Sequence, residues 1–309
     1  MIWAVSCFFN PCRYERRVHN HRLFRARLGV PLLTIELSHD DHFELAEDDA
    51  DLVLRRSCPD VLWQKERLLN VAFASLPPAC DAVAWFDGDV FLARDDWADE
   101  ARRRLRDDAV LLHLFDRCTD LPRDVVEPQG KPTGRSFVAL HDEGGQEAAL
   151  FEAMWGSHPT DGGVRRRLSS GFAWAARREL LTGPGLYDAC ILGSGDRALA
   201  CAAYGRAERS TQNFLRNDAQ RAHYFAWGRR FADAVDGRIG FLAGDLYHLW
   251  HGDLADRGYR TRWADFATFG FDPARDIAVD AQGCWRWATD KPAMHVFVRD
   301  YFARRKEDG

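Results

Sequence analysis

The chain has 309 residues, of which 42 are Lys or Arg and 47 are Asp or Glu, so its formal net charge is −5. This length suits one or two domains with a buried core, and a hydrophobic content of 46% is that of a globular protein. No stretch is long and apolar enough to predict a membrane span, and the charge balance is not basic enough to predict a dedicated nucleic-acid-binding protein.

The eight cysteines include no Cys-x-x-Cys pair and no Cys/His spacing typical of a zinc module. Several lie within apolar runs, which predicts buried free thiols in a reducing compartment. The first residues enter a strand-like segment and lack the pattern of a signal peptide. We therefore expect a cytoplasmic protein.

Strand-like and helix-like segments alternate in the first half of the chain, which is typical of βαβ units in a mostly parallel sheet. Short apolar runs predict strands over 2–9, 31–37, 82–86 and 109–115. Helical spacing predicts helices over 14–28, 62–76 and 97–105. Residues 116–136 show little periodicity, so we expect a loop there.

The same patterns continue in the second half of the chain. They predict a strand over 172–176, helices over 177–181, 197–204 and 211–235, one or two strands over 238–250, and a closing helix over 292–305. No linker divides the chain cleanly. We therefore expect a main domain over 1–255 and a mainly helical C-terminal extension over 256–309, packed on it.

Two carboxylates follow the apolar segment Ala82–Phe86, in the sequence Asp87-Gly88-Asp89. In open α/β sheets, ligands bind outside the carboxyl ends of the strands. A hard divalent cation that carries a diphosphate is a natural partner for acids in this place. The alternative is an ordinary turn, because Asp-Gly is common turn chemistry.

A glycine-rich break, Gly193-Ser194-Gly195, precedes Asp196 and a predicted helix. Glycines allow the backbone to approach a ligand closely, and Asp196 is placed to accept a proton. The alternative is that Asp196 only caps the helix.

Two further pairs are candidates for chemistry. His248 and His251 are placed to complete a metal site begun by Asp89, or else they are structural histidines. Lys65 and Arg67, on the helix before the Asp-Gly-Asp strand, are placed to meet a phosphate, or else they belong to a solvated helix face.

Taken in order, these motifs resemble those of nucleotide-sugar-dependent glycosyltransferases of the GT-A fold, and in particular inverting, galactosyltransferase-like members. The resemblance covers about residues 1–255. Its motifs are Phe9-Asn10-Pro11, Lys65-Glu66-Arg67 with Asn70, Asp87-Gly88-Asp89, the segment 170–175, Gly193–Asp196 and a late histidine. It implies a GT-A-like, Rossmann-type open sheet, mostly parallel and flanked by helices, in a catalytic domain over 1–255.

The resemblance also implies a role for each matching residue. The metal ligands would be Asp87, Asp89 and His251, with His248 as the other candidate, and the general base would be Asp196. Residues expected at the nucleotide sugar or the acceptor are Asn10, Glu36, Lys65, Arg67, Asp87, Gly171, Trp174 and Gly195. One departure is that Arg197 follows Asp196, where inverting members commonly have a second acid.

The expected function is metal-dependent transfer of a sugar from a nucleotide-diphosphate sugar to an acceptor hydroxyl, with inversion. The expected cofactors are Mn²⁺ or Mg²⁺ and a donor such as a UDP-sugar. Glycans, metabolites, proteins and modified nucleobases all stay open as acceptors, and the Arg-rich runs 102–104 and 165–167 keep nucleic acid among them. The alternatives are a nucleotidyltransferase acting on sugar phosphates and a non-catalytic nucleotide-sugar-binding module.

Overall fold

A computed structural model describes residues 1–154, 158–159, 165–212, 214–259 and 261–309. The side chains of the Arg-rich run 165–167 lie outside this description. The run 102–104 lies on a helix, where Arg103 pairs with Glu100 and Arg104 pairs with Asp108. No helix in the described ranges is long and apolar enough to cross a membrane.

In the described part of the chain, fifteen strands form three sheets. They are β1 Ile2–Phe9, β2 Leu32–Ser38, β3 Leu52–Ser57, β4 Ala82–Phe86, β5 Val90–Leu92, β6 Leu111–His113, β7 Arg117–Asp120, β8 Gly134–Ser136, β9 His158–Pro159, β10 Arg165–Ser169, β11 Ala173–Arg177, β12 Ile239–Phe241, β13 Asp245–His248, β14 Ile277–Val279 and β15 Trp285–Trp287.

Eleven α-helices accompany the strands within the described ranges. They are α1 Glu15–Arg27, α2 Lys65–Ala74, α3 Trp97–Asp107, α4 Phe137–Asp142, α5 Glu147–Ala153, α6 Arg178–Thr182, α7 Gly195–Ala203, α8 Asp218–Val235, α9 Arg262–Phe266, α10 Pro273–Asp276 and α11 Pro292–Arg304.

The main sheet has seven strands in the order β12-β6-β11-β4-β1-β2-β3. Its pairings are parallel except where β11 lies antiparallel between β4 and β6. Successive residues of β4 face opposite sides, so Trp85 joins one apolar cluster and Phe86 the other. Helix α2 packs on the first side and α1 on the second. The predicted fold class, an α/β protein with a mostly parallel sheet between helices, is confirmed.

A second sheet, of order β5-β13-β7-β8-β10-β9, lies beside the first. Two of its strands, β7 and β8, lie within the predicted loop over 116–136, so that prediction is wrong at both ends. These strands are short and carry polar residues, and therefore show little hydrophobic periodicity.

Other boundaries also differ from the prediction. Helix α8 begins at Asp218, after a 3₁₀ segment over Ala207–Gln212, instead of at residue 211. After residue 255 the chain forms α9, α10 and α11, with the hairpin β14–β15 between the last two. The predicted helical character of this region is confirmed, and the domain boundary at 255 stays a prediction.

None of the eight cysteines forms a disulfide, as the sequence predicts. Six are buried and two, Cys7 and Cys12, are half-buried. Burial raises the pKa of the Cys201 thiol to about 12, so this side chain packs as an apolar group.

Candidate functional site

Several predicted site residues meet at the edge of the main sheet where β1, β2 and β4 end. Asn10 follows β1, and Asp87 follows β4. Because β11 is antiparallel to β4, its first residues lie at this same edge, and the Asp87 N–H donates to the Phe172 carbonyl at 2.8 Å. The sheet topology therefore brings the start of one strand to the end of another.

A buried lysine joins two acids at this edge. Lys65 is the first residue of α2, and its Nζ lies 2.5 Å from Asp87 Oδ1 and 3.0 Å from each carboxylate oxygen of Asp196. Burial lowers the pKa of Lys65, but Asp196 and Asp87 outweigh it and raise the pKa well above its ordinary value. The ammonium therefore stays charged and connects the acid that follows β4 with the acid on α7.

Burial raises the pKa of Asp87 to about 6, although Lys65 opposes the shift. The neighbouring Glu66 is affected more strongly: burial raises its pKa to about 8, with Lys65 again opposing and Asp196 adding to the shift. Glu66 is thus protonated at neutral pH and adds no full charge to the cluster.

Two glycines make room for these acids. A Cβ atom on Gly195 would lie 2.0 Å from Glu66 Oε1, and a Cβ atom on Gly171 would lie 2.9 Å from Asp196 Oδ2. At these distances, any side chain at Gly195 or Gly171 would clash with the neighbouring acid unless that acid moved. These glycines therefore permit close packing of the cluster, and both remain proposed neighbours of the ligand.

Two residues other than glycine adopt strained backbone conformations at this edge. Phe172 has φ 79° and Ser194 has φ 86°. Phe172 accepts the Asp87 N–H, and its ring lies 4.7 Å from that of His248. Ser194 immediately precedes the helix that carries Asp196. Strain of this kind concentrates at ligand-binding and catalytic positions.

A second cluster forms where the chain passes from β4 to β5. Strand β5 pairs antiparallel with β13, and Val90 lies opposite His248. The Leu249 N–H continues the pairing by donating to the Asp89 carbonyl at 2.8 Å. This register places the Asp89 side chain beside His248 and His251, as the sequence analysis predicts.

Asp89, His248 and His251 are the one group of three potential metal ligands in the described part of the chain, and their ligand atoms all lie within 4.8 Å of one another. Asp89 Oδ2 is 3.1 Å from His251 Nε2, and the two Nε2 atoms are 3.0 Å apart. Asp89 Oδ1 is buried and has no hydrogen-bond partner.

The protonation of His251 and Asp89 suits a cation. Burial, together with Arg257, lowers the pKa of His251 to about 4, so the ring is neutral. Burial raises the pKa of Asp89, but His251 and His248 outweigh it and lower the pKa below its usual value. A carboxylate and two imidazoles with converging acceptor atoms fit a divalent transition metal such as Mn²⁺.

Two arginines that the sequence analysis did not select lie beside the trio. Arg257 Nη2 is 2.9 Å from His251 Nε2, and Arg262 Nη2 donates to Ser194 Oγ at 3.1 Å. Arg257 also donates to the Tyr259 hydroxyl at 3.2 Å, and the Arg262 guanidinium lies 4.8 Å from the Tyr259 ring. The pair thus extends from the trio toward the helix that carries Asp196.

Both arginines are buried, with exposed fractions of 4% and 6%. Within the described ranges neither forms an ion pair with a carboxylate, and each has a buried Nε without an acceptor. Their neighbour Arg305, by contrast, pairs with Glu307 at 2.5 Å. Buried cations without counterions favour an anionic ligand.

The effect of these arginines is visible on Tyr259. Burial raises its pKa, but Arg257, Arg305 and Arg262 together outweigh burial and lower the pKa to about 7. Arginine is frequent throughout this chain, so nothing in the sequence distinguishes these positions. The one available signal was their closeness to His251.

The structure does not bring Arg67 or Trp174 to the site. Arg67 pairs with Asp188 at 3.1 Å and donates to the Gly283 carbonyl, because residues 65 and 67 point to different sides of α2. Trp174 lies opposite Trp85 in the sheet register, is fully buried, and stacks on that ring. It is a core residue and does not line a pocket.

Asn10 and Glu36 lie at the ends of β1 and β2, where a nucleoside is expected. Glu36 Oε1 accepts the N–H groups of Glu44 and Leu45 at 2.6 and 3.1 Å, and Asn10 donates to Glu44 Oε2 at 3.0 Å. Both residues therefore support the same loop, and their contact with a nucleoside stays a prediction.

No family model matches the chain, and no curated protein matches it in sequence. Similar solved structures include glucosyl-3-phosphoglycerate synthase from Mycobacterium tuberculosis in complex with Mn²⁺, UDP-glucose and phosphoglyceric acid, at 16% identity and a TM-score of 0.44, covering 96% of this chain and 90% of that one. The mannosyltransferase PcManGT from Pyrobaculum calidifontis, in complex with GDP-Man and Mn²⁺, is similar at 14% identity and a TM-score of 0.41. That match covers 86% of this chain and 63% of the PcManGT chain. S. aureus TarS is similar at 12% identity and a TM-score of 0.40; the match covers 80% of this chain but only 60% of the TarS chain.

The raised pKa of Glu66 predicts how stability depends on pH. Its ordinary pKa of 4.5 applies to the unfolded chain, and the folded value is about 8. The folded state therefore binds more protons between these values, and stability falls as the pH rises from about 4.5 to about 8. Asp87 contributes to this loss only up to about pH 6. We expect Glu66→Gln to reduce the loss of unfolding free energy between pH 6 and pH 8, measured by urea denaturation.

The matched control is Glu179→Gln, which removes an exposed carboxyl on α6. This variant should keep the pH dependence of the unmodified protein. An equally steep loss of stability in Glu66→Gln and in the unmodified protein would contradict the assignment of Glu66 as a protonated buried acid.

Proposed function

We propose that this protein is a GT-A-type glycosyltransferase that moves a sugar from a nucleoside-diphosphate sugar to an acceptor hydroxyl, with inversion. The observation that carries the proposal is the convergence of Asp89, His248 and His251 beside the Lys65–Asp196 pair. One group suits a cation and the other suits proton transfer. Transfer from a nucleotide sugar needs a cation site and a proton acceptor that are close enough for one ligand to reach both.

Asp89, His248 and His251 would hold the divalent cation. Their chemistry fits, because two imidazoles and one carboxylate present converging ligand atoms, one of which, Asp89 Oδ1, is buried without a donor. When bound, Mn²⁺ or Mg²⁺ supplies positive charge that stabilises the diphosphate leaving group. Asp87, also predicted as a ligand, pairs with Lys65 and would stand at the edge of this site.

Arg257 and Arg262 take the role that the sequence analysis gave to Arg67. A guanidinium offers two parallel donors to phosphate oxygens, and burial strengthens each interaction because little water competes. The negative charge that develops as the diphosphate leaves would thus meet donors already in place. Neither arginine needs to break an ion pair with a carboxylate to do this.

Asp196 is the proposed general base. It lies in the first turn of α7, and Lys65 contacts both of its oxygens, which holds the carboxylate in one orientation. A base in a fixed position can take the proton of the acceptor hydroxyl as the new glycosidic bond forms. Because Arg197 follows, one carboxylate at this helix would perform the whole task.

A nucleotidyltransferase is less well supported. Such enzymes commonly bind phosphates on a flexible basic loop after the first strand. Here that segment is Asn10-Pro11-Cys12-Arg13, and Arg13 pairs with Asp40 while Asn10 bonds to Tyr14 and Glu44. The segment is therefore occupied by its own contacts.

The proposal is tested first by metal-dependent binding of nucleotides. We expect calorimetry with UDP, GDP and dTDP to show one nucleotide that binds in the presence of Mn²⁺ and at least tenfold more weakly in EDTA. Asp89→Ala should abolish the metal effect, because it removes the carboxylate of the trio. Absence of binding for every nucleotide, with and without Mn²⁺, would refute the proposal.

Asp196 is tested separately from binding. We expect Asp196→Asn to bind the nucleotide as the unmodified protein does and to lose transfer or donor hydrolysis by about 10²- to 10⁴-fold, which is the usual contribution of a general base. Steady-state rates with the corresponding nucleotide sugar measure this. Unchanged rates would remove Asp196 from the mechanism, and binding without turnover in the unmodified protein would indicate a non-catalytic module.

The arginines give a paired test. Arg262→Met should weaken nucleoside diphosphate binding by about 10- to 100-fold, since a hydrogen bond to a charged group contributes about 1.5–3 kcal/mol. The variant should be at least as stable as the unmodified protein in urea, because it removes a buried cation that lacks a counterion.

The matched control, Arg67→Met, should behave in the opposite way. It leaves the half-buried Asp188 without its ion pair and should lower stability, while nucleotide affinity stays unchanged. Equal affinities for the Arg262 variant and the unmodified protein would contradict the role given to Arg262.

A further inference from the structure

We infer that Asp120 is a positioning residue that holds His248 as an Nε2 metal ligand. The inference rests on the proposed metal site and adds a residue from a segment that the sequence analysis expected to be a loop. It assigns to β7 a direct part in the organisation of the site.

The second sheet sets the geometry. Strand β13 lies between β5 and β7, so His248 has Val90 as its register partner on one side and Asp120 on the other. His248 Nδ1 lies 2.8 Å from Asp120 Oδ1. One strand thus presents the ring of His248 to Asp89, and the next strand supports the opposite side of that ring.

Asp120 is itself held in place. Its N–H donates to Thr133 Oγ1 at 2.9 Å, and the Thr133 hydroxyl donates in return to Asp120 Oδ2 at 3.0 Å. This leaves Oδ1 directed at the imidazole. The carboxylate therefore does not have to be ordered when a cation binds.

The pairing decides which nitrogen of His248 carries the proton. A carboxylate accepts a hydrogen bond, so Nδ1 is the protonated nitrogen and Nε2 keeps its lone pair. In the other tautomer, Nε2–H would donate to His251 Nε2, only 3.0 Å away, and both nitrogens would be lost as ligands. Asp120 prevents this hydrogen bond between the two histidines, because in that tautomer the Nδ1 lone pair of His248 would face the Asp120 carboxylate.

Glu307 stands in a similar relation to His251, with 3.5 Å between Oε1 and Nδ1. It also pairs with the half-buried Arg17 and the buried Arg305, so its replacement would leave both cations without this carboxylate. Asp120 is half-buried, and its carboxylate hydrogen-bonds to His248 and Thr133, which makes it the better residue to test.

The test measures the affinity for Mn²⁺ alone, by the loss of the free-ion EPR signal, for the full chain. We expect Asp120→Ala to bind Mn²⁺ about 10- to 100-fold more weakly, which is the usual cost of removing such a partner. Asp120→Asn should lose less of the affinity for Mn²⁺, because its amide oxygen still accepts the hydrogen bond from His248 Nδ1–H. Asp245→Asn, which removes a carboxylate from the same sheet where it pairs with Arg117, should stay within twofold of the unmodified protein.

A second readout needs no metal. Two-dimensional ¹H–¹⁵N spectra of the histidine rings, with His248→Ala for assignment, should show the Nδ1–H tautomer in the unmodified protein and a shift toward Nε2–H in Asp120→Ala. If Asp120→Ala does not fold, the affinity for Mn²⁺ and the tautomer of His248 are both measured on Asp120→Asn instead.

The outcomes separate the two proposals. Unchanged Mn²⁺ affinity in the Asp120 variants, with binding abolished in Asp89→Ala, would overturn the role of Asp120 and leave the metal site intact. An equal loss in Asp245→Asn would also overturn it, as a general effect on the sheet. If the unmodified protein binds no Mn²⁺, the metal site itself fails, and this inference fails with it.

Discussion

The structure depends on one sharp turn, Asp87-Gly88-Asp89, through which the chain leaves the main sheet and enters the second. The turn has little spare room, because a Cβ on Gly88 would lie 3.2 Å from His21 Nδ1. It separates two carboxylates into different surroundings. Asp87 stays with Lys65 and has a raised pKa, whereas Asp89 joins two histidines and has a lowered pKa. Two acids that are separated by a single glycine are thereby held in different electrostatic surroundings.

Charge in the interior follows a consistent pattern. Arg17 and Arg305 share the buried Glu307, and Lys65 is balanced by Asp87 and Asp196. Each of these cations has a carboxylate partner within the protein. Within the described ranges, Arg257 and Arg262 form no ion pair with a carboxylate, and Arg257 lies beside the proposed cation site. A departure from local charge balance therefore coincides with the proposed ligand site.

Part of this arrangement was visible in the sequence. The apolar run before Asp87 correctly predicted two acids at a strand end, and the late histidines were correctly predicted to lie beside Asp89. Helix α2 shows the limit, because Lys65 and Arg67 are two residues apart and only one of them can face the site. Sequence spacing alone did not show that Lys65, and not Arg67, faces the site. Trp174 was misplaced because β11 is buried on both faces, so the strand carries no polar alternation to mark a pocket-lining side. Asp120 was missed because only the pairing of three short strands brings it to His248.

Arg257 and Arg262, which form no ion pair with a carboxylate in the described ranges, have a thermodynamic consequence for the protein as a whole. A ligand that binds only the folded state adds RT ln(1 + [L]/Kd) to its stability. An anion that also relieves an unbalanced interior charge has a large affinity difference between folded and unfolded chains. The folded population would then follow the supply of that anion in the cell, and a shortage would expose the chain to unfolding and proteolysis. The abundance of the protein in the cell, and not only its reaction rate, would then depend on the concentration of the ligand.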